Sequence, residues 1–318
     1  MATRINEATL PANDGVIYHL SIAPQDLANN IIVVGDPERV PKIAELVFDK
    51  QQEIFRMDHR GLCVMTGTTT DGLRLSVVTH GMGTGSTEIV INEIFALKAI
   101  DVENRQSLEE VKEPLNIIRI GTSGALQETT ELGTVVITKV SIGLDNTGLY
   151  YDIPPQNEKV IELEKKVTEV INQNINETSR FKGKIHPYCS YPDERMVNAI
   201  VKASEKNGIP HKLGITCTMP GFFNCQGRLL FKEMPETVDN IDKALNFEFD
   251  GVKTENMEME ISTLTYLCSA FKWIRFGAMC IAIANRRLNT FATSNQGNLD
   301  PVVLTAVDAL REMNKIPL

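Results

Sequence analysis

In the stretch NMEMEIS (256–262), Glu258 and Glu260 alternate with Met257 and Met259 inside an otherwise apolar run. A solvated helix face fits poorly with the Met and Ile around them, and carboxylates in apolar company need a partner of opposite charge or a ligand. Cations occur at two other places. RIGTSGAL (119–126) puts Arg119 at the end of an apolar strand and Thr122 in the small-residue turn after it, where a guanidinium and a hydroxyl can meet one anion. A structural ion pair is the other reading of Arg119. VVGDPERV (33–40) ends a strand at Gly35 and begins a helix near Pro37 with Arg39 just inside. A glycine there lets backbone N–H groups approach a ligand, and a helix start favours negative charge. A plain strand–turn–helix with Arg39 solvated is the alternative. HGMGTGSTEIV (80–90) is a third such junction, with Gly81, Gly83 and Gly85 before a helix near Ser86. It has neither a G-x-G-x-x-G nor a Walker lysine, so dinucleotide and P-loop readings are weak, and tight-turn glycines are equally open.

The elements that must carry these residues are legible in outline. NIIVVGD, LCVMTG, LRLSVVTHG, LNIIRIGTSG, GTVVITKVSIG, KLGITCTM and MCIAIANR are short β-rich runs. Several are continuously apolar and end in Gly, Asn or Asp, as strands buried on both faces do. Residues 86–100, 157–175, 192–206 and 300–313 repeat apolar positions every three or four residues, as helices do. Strands alternating with helices give an α/β fold, with its ligand site where strands end in loops. Residues 101–115 and 231–255 are rich in charge between well-patterned elements and read as surface insertions into a single domain spanning 1–318.

Bulk properties exclude several classes. A net charge of −9 argues against a general nucleic-acid or anionic-membrane surface. No apolar window reaches the about 18 residues of a spanning helix, and the first thirty residues lack the pattern of a secretion signal, so the cytoplasm is expected. The six cysteines form no CxxC pair and read as buried thiols, and the five histidines lack metal-ligand spacing, so no transition metal is expected.

Taken together, GDPERV (35–40), HGMGTGST (80–87), RIGTSGA (119–125), FFNCQGR (222–228), NMEME (256–260) and ANR (284–286) resemble the nucleoside phosphorylase family, on its uridine phosphorylase branch. The likeness runs in family order from His19 to Arg286; each motif alone is weak and the ordered set is specific. It implies a doubly wound mixed sheet flanked by helices, of the trimeric and hexameric nucleoside phosphorylase type, with active sites shared between subunits. It also implies a pentosyltransferase reaction of pyrimidine salvage: uridine and phosphate give uracil and ribose 1-phosphate. By position, Gly35, Arg39, Arg119 and Thr122 would hold phosphate, with Arg60 of DHRGL from a neighbouring subunit. His19 of VIYHLSI would reach the ribose 5′-hydroxyl across the same interface, although a lone histidine in an apolar stretch is also what a core provides. Met259 would pack on the ribose, Glu260 would accept from its hydroxyls and Glu258 would support the pocket. A carboxylate beside the sugar stabilises an oxocarbenium-like transition state more than the neutral substrate.

The resemblance also places Phe222 as a wall of the base pocket, with Gln226 and Arg228 reading uracil: an amide can donate and accept on the O4/N3 edge, and a guanidinium can steady charge on O2. Read alone, Gln226 and Arg228 could be an ordinary surface pair. Purine-specific relatives carry an Asp after the AIA strand to protonate N7; here Asn285 and Arg286 follow, and Arg286 resembles the pyrimidine-type support, although Arg286–Arg287 could also be a basic strand end. Gly61 stands where bacterial hexameric relatives often place a Glu that helps hold a monovalent cation, which argues against a potassium site although Ser86 is present. No cofactor is implied, phosphate being a co-substrate. Dimer and hexamer both remain open, because some longer relatives are dimers. The competing functions are a purine nucleoside phosphorylase or nucleosidase, and a non-catalytic nucleoside-binding protein.

Overall fold

The computed structural model describes residues 4–292 and 297–318. Its centre is β1 (Asn30–Val34), whose five residues are all buried, as a NIIVV run predicts. It leads through Gly35 into α1 (Arg39–Val47), which buries Val40, Ile43, Ala44 and Val47, one face of a 3.6-residue repeat. Strands β2 (Phe55–His59), β3 (Leu62–Thr68) and β4 (Arg74–Thr79) follow as an antiparallel meander, and β4 then lies parallel to β1. Helix α2 (Thr84–Ala99) returns to β5 (Leu115–Ala125), the strand that carries Arg119.

The second half comprises β6 (Val135–Gly143), α3 (Glu158–Gln173), β7 (Tyr188–Ser190), α4 (Glu194–Lys206), β8 (His211–Thr218), β9 (Val252–Glu258), α5 (Ile261–Ser269), β10 (Ile274–Asn285) and α6 (Asp300–Asn314). The main sheet runs β9-β8-β6-β10-β5-β1-β4-β3-β2, and β9 also pairs antiparallel with β5, so the β9 side of the sheet curls closed. Apolar clusters lie on both faces: α1, α4 and α6 cover one, α2 and α5 the other, and α3 packs beside the closed end. This is the doubly wound mixed sheet with flanking helices expected from the sequence.

One expectation about segment 231–255 changes. Its charge suggests a surface excursion, yet Val238, Ile241 and Leu245 pack into the core beside α3, and its last residues begin β9. Four buried polar or charged residues, Thr254 to Asn256 and Glu258, hide β9 from a hydropathy reading. Residues 101–115 do lie mostly at the surface, as a small hairpin (Ile100–Asp101 with Gln106–Ser107) followed by exposed chain. All six cysteines are free, and five are buried. Among the described residues, no helix is long and apolar enough to cross a membrane.

Candidate active site

At the carboxyl ends of β1, β5 and β9 the structure opens a cavity of about 480 Å³ lined by Gly35, Arg39, Arg119, Thr122, Phe222, Gln226, Arg228, Glu258, Met259 and Glu260. Segments more than 200 residues apart in sequence thus meet at the position where open α/β sheets bind ligands. A larger cleft of about 860 Å³ lies against α4 and α6 and the turn before β4. Most of its cations are already matched, Lys206 with Asp308, Arg311 with Asp71 and Lys315 with Glu312, so it has the character of a solvated helix seam.

Arg119 is the hub. It is only 3% exposed and projects from the middle of β5. Its side chain folds over Gly121, where an added Cβ would stand 2.2 Å from Nη1, so that glycine is required by close approach. Arg119 Nη1 donates to Cys280 Sγ at 2.7 Å, and Nη2 bonds Glu260 and lies 3.2 Å from Glu258 Oε2. Among the described residues, Nε has no hydrogen-bond partner. Burial alone would lower the guanidinium pKa; Cys280, Glu258 and Glu260 together hold it above its ordinary value. Arg39, the first residue of α1, is lowered by burial, which Asp36 at 3.7 Å only partly offsets and Arg119 reinforces. Two guanidiniums thus share a half-enclosed space in which one of them lacks adequate counter-charge, a demand that an anion meets.

The two glutamates occupy a strand–helix junction: Glu258 ends β9 and Glu260 precedes α5. Glu258 accepts from the N–H groups of Glu260 (2.8 Å) and Ile261 (3.0 Å) and from the Thr218 hydroxyl, which fixes the junction. Burial pushes its carboxyl up to about 7, against the pull of Arg119. Burial would also raise Glu260, but Arg119 and the Gly83 N–H outweigh it and hold that carboxyl below its usual range. The charge is therefore concentrated on Glu260, which lines the cavity. The HGMGTGST junction serves this carboxylate: Gly83, at φ +84°, donates to Glu260 Oε1 at 2.7 Å, so this N–H is committed to a side chain of the protein itself. His80 lies behind it, fully buried, and burial followed by Arg119 pushes its pKa down to about 4, keeping it neutral.

At the far end, Gln226 closes a single turn after Phe223 and is buried, with left-handed Gly227 next. Arg228 donates to Gln226 Oε1 and to the Phe222 carbonyl (2.8 Å), and its guanidinium sits 3.9 Å from the Phe222 ring centroid. Gln226 Nε2 donates to the Gly221 carbonyl at 3.0 Å. These bonds set the amide orientation and leave one N–H and an oxygen lone pair for a ligand. Arg286 does not line the cavity; it donates to the carbonyls of Gln226 (2.8 Å) and Gly227 (3.3 Å) and so braces the turn from behind. Burial, followed by Arg286, pushes Arg228 down to about 10. Asn285 is fully engaged in holding chain, donating to the carbonyls of Gln127 and Thr130 and accepting from the N–H groups of Arg287 and Leu288. Among the described residues, the carboxylates lining the cavity are Asp36, Glu258 and Glu260.

His19 and Arg60 lie outside the cavity of their own chain, close to each other. Arg60 donates to the Tyr18 hydroxyl (3.3 Å), and the His59 ring bonds the His19 carbonyl (3.0 Å). Arg60 has φ +52° and Gly61 φ +78° in the tight turn joining β2 to β3. Such a turn favours Asn-Gly, and the left-handed region costs an arginine about 1 kcal/mol. Gly61 therefore answers to backbone geometry. Sequence reasoning missed Met82, Ser123, Met257, Ile283 and Phe291, which also line the cavity. Ser123 follows Thr122 in an identified motif, and Ile283 sits at a register break between β10 and β5; Phe291 carries no local signal.

Residues 30–313 match the model of the phosphorylase superfamily. The chain belongs to that family. It is 28% identical over 303 residues to a uridine phosphorylase of Thermococcus kodakarensis, covering 95% of this chain and 89% of the relative, and 26% identical over 272 residues to a uridine phosphorylase of Escherichia coli, covering 85% and 86%. Its fold superposes with a TM-score of 0.83 on a Trypanosoma brucei nucleoside phosphorylase whose crystal structure is described as showing uridine phosphorylase activity, at 29% identity over 95% of this chain and 99% of that one.

Proposed function

We propose that this chain catalyses the reversible phosphorolysis of uridine to uracil and ribose 1-phosphate. The similarity to uridine phosphorylases along nearly the whole chain supports this reading. The observation that carries it is that one cavity is lined by Arg39, Arg119 and Thr122, by Met259 and Glu260, and by Gln226 and Arg228.

In this reading phosphate sits against Gly35, Arg39, Arg119 and Thr122, and Arg60 of a neighbouring subunit completes the cradle. Phosphate oxygen forms a bond to C1′ as the C1′–N1 bond breaks, and the electron pair leaves with uracil. Glu260 stabilises the positive charge on the sugar, Glu258 holds Glu260 and its helix start in place, and Met259 packs on the ribose. Arg228 steadies the negative charge on the departing base, which then takes a proton from solvent. Catalysis is positioning and electrostatics, with phosphate as the nucleophile, and the reading calls for no metal or cofactor. Among the described residues the carboxylates lining the cavity are Asp36, Glu258 and Glu260, and Asn285 follows the AIA strand, so the reading assigns no acid to a purine N7.

His19 and Arg60 lie together on the surface outside their own cavity, so the proposal includes an assembly of at least two subunits, dimer or hexamer, that shares sites. The proposal includes action in the cytoplasm, on the uridine and phosphate of pyrimidine salvage. Steady-state uracil release from uridine, with inosine in parallel, tests the substrate assignment: uridine alone should be cleaved, and robust inosine cleavage would overturn it.

Two variants follow. Arg228→Ala should lower kcat/KM for uridine by about 100-fold, the loss of a charge-assisted contact, and leave the KM for phosphate within about twofold. Equal losses in both would relocate Arg228. Arg60→Asn should relieve the strained turn, raising stability by about 1 kcal/mol, while weakening phosphate use by about 10-fold. Unchanged phosphate kinetics in the assembled enzyme would remove Arg60 from the cradle.

A further inference from the structure

Helix α2 buries Val90, Ile91, Ile94 and Leu97, and among them Glu93, a carboxylate only 8% exposed. A buried charge at mid-helix needs compensation, and among the described residues its hydrogen bonds come from His19 and Leu20 of the N-terminal segment. Glu93 Oε1 accepts from the His19 backbone N–H (2.8 Å) and meets His19 Nδ1 (2.7 Å); Oε2 accepts from the Leu20 N–H (2.7 Å). Two backbone bonds alone would tie the chain down. The third acts on the imidazole.

An ionised carboxylate can only accept, so the hydrogen of that bond resides on Nδ1. In the neutral ring this tautomer leaves a bare lone pair on Nε2. Tyr18 packs edge-on against the ring (centroids 4.9 Å apart, planes at 80°), and the His59 ring bonds the His19 carbonyl, so the backbone and the ring plane are both held. The His19 side chain keeps 28% of its surface exposed against 10% for Glu93, so the imidazole is the accessible member of the pair.

We infer that Glu93 is a positioning residue that presents His19 as a hydrogen-bond acceptor at Nε2, making the site selective for nucleosides whose 5′ group can donate a hydrogen. This rests on the reading in which His19 meets the ribose 5′-hydroxyl of a neighbouring site. A 5′-hydroxyl donates to Nε2. A 5′-deoxy sugar offers nothing, and a 5′-O-methyl ether or a phosphate dianion offers only acceptors.

The test combines a spectroscopic and a kinetic readout on the intact assembled enzyme. Nitrogen-15 NMR of labelled histidine, with His19 assigned by its loss in His19→Ala, should show Nδ1 protonated and Nε2 bare in the wild type, and mixed tautomers in Glu93→Gln. The ratio of kcat/KM for uridine over 5′-deoxyuridine should be about tenfold or more in the wild type and fall toward one in both Glu93→Gln and His19→Ala. His19→Ala retains the bonds from Glu93 to the two backbone N–H groups, so it keeps the test decisive should Glu93→Gln fold poorly. A His19 ring protonated at Nε2 in the wild type would overturn the role of Glu93. A shifted tautomer or a missing ring with an unchanged substrate ratio would overturn recognition of the 5′ group by His19. Failure of the wild type to cleave uridine would instead overturn the underlying functional reading.

Discussion

Arg119→Ala is expected to lower phosphorolysis by about 10²–10³-fold, with loss of saturable phosphate kinetics. A charged donor aimed at an anion as it reacts accounts for about 3–4 kcal/mol of transition-state stabilisation. The substitution also leaves Glu258 and Glu260 buried without their shared cation. Removing one partner from a buried ionic cluster costs about 3–5 kcal/mol, so Tm should fall by many degrees. The pH dependence of that loss has a definite sign. Glu258 is already raised to about 7, so its stabilising contribution is complete below the unfolded carboxyl value near 4.5 and is lost as pH rises through 7. Without Arg119 the carboxyl moves further up, and the variant should recover stability relative to wild type as pH is lowered from 8 to 5. Phosphate titration at fixed uridine and thermal melts across that range measure both effects. A near-normal kcat and KM for phosphate would remove Arg119 from the site.

Glu260→Gln should lower kcat by about 10²–10³-fold with little change in the KM for uridine. The amide keeps the shape, and its single oxygen can accept from either the Gly83 N–H or Arg119, which bond different oxygens of the carboxylate, so most of the ground-state pocket persists. The variant lacks the negative charge that acts only as the ribose becomes cationic. A rise in KM with kcat unchanged would show that Glu260 serves binding alone, and the electrostatic account of the NMEME stretch would fail.

Much of the sheet was legible because most of its strands are buried on both faces and read as apolar runs, as NIIVV does in β1, whereas FRMDH in β2 alternates exposed and half-buried residues. Strand β9 was hidden because its buried residues are Thr254, Glu255, Asn256 and Glu258, whose compensation comes from Ser123, Thr130, Thr218 and Arg119 on other segments. Helix α5 escaped for a related reason: ISTLTYLCS is buried nearly all round and has no polar face to mark a period. At the site, Arg119 and Glu260 announced themselves by being charged in apolar company. Glu93 stood in equally apolar company without being singled out, because a single carboxylate on a helix is an ordinary solvated residue until His19 is seen beside it. Arg286 was read as a support of the uracil pocket, and its bonds to the main-chain carbonyls of Gln226 and Gly227 make it a brace of that turn, a detail of partner that no motif encodes.

The central claim is that phosphate, held by Arg39 and Arg119, attacks C1′ of uridine. Phosphorus-31 NMR of the enzyme with uridine and inorganic phosphate tests it most directly. The account predicts a sugar 1-phosphate resonance that grows in step with uracil and disappears when uracil is added back in excess. Uracil accompanied by free ribose and an unchanged phosphate signal would contradict it, as would no uracil at all.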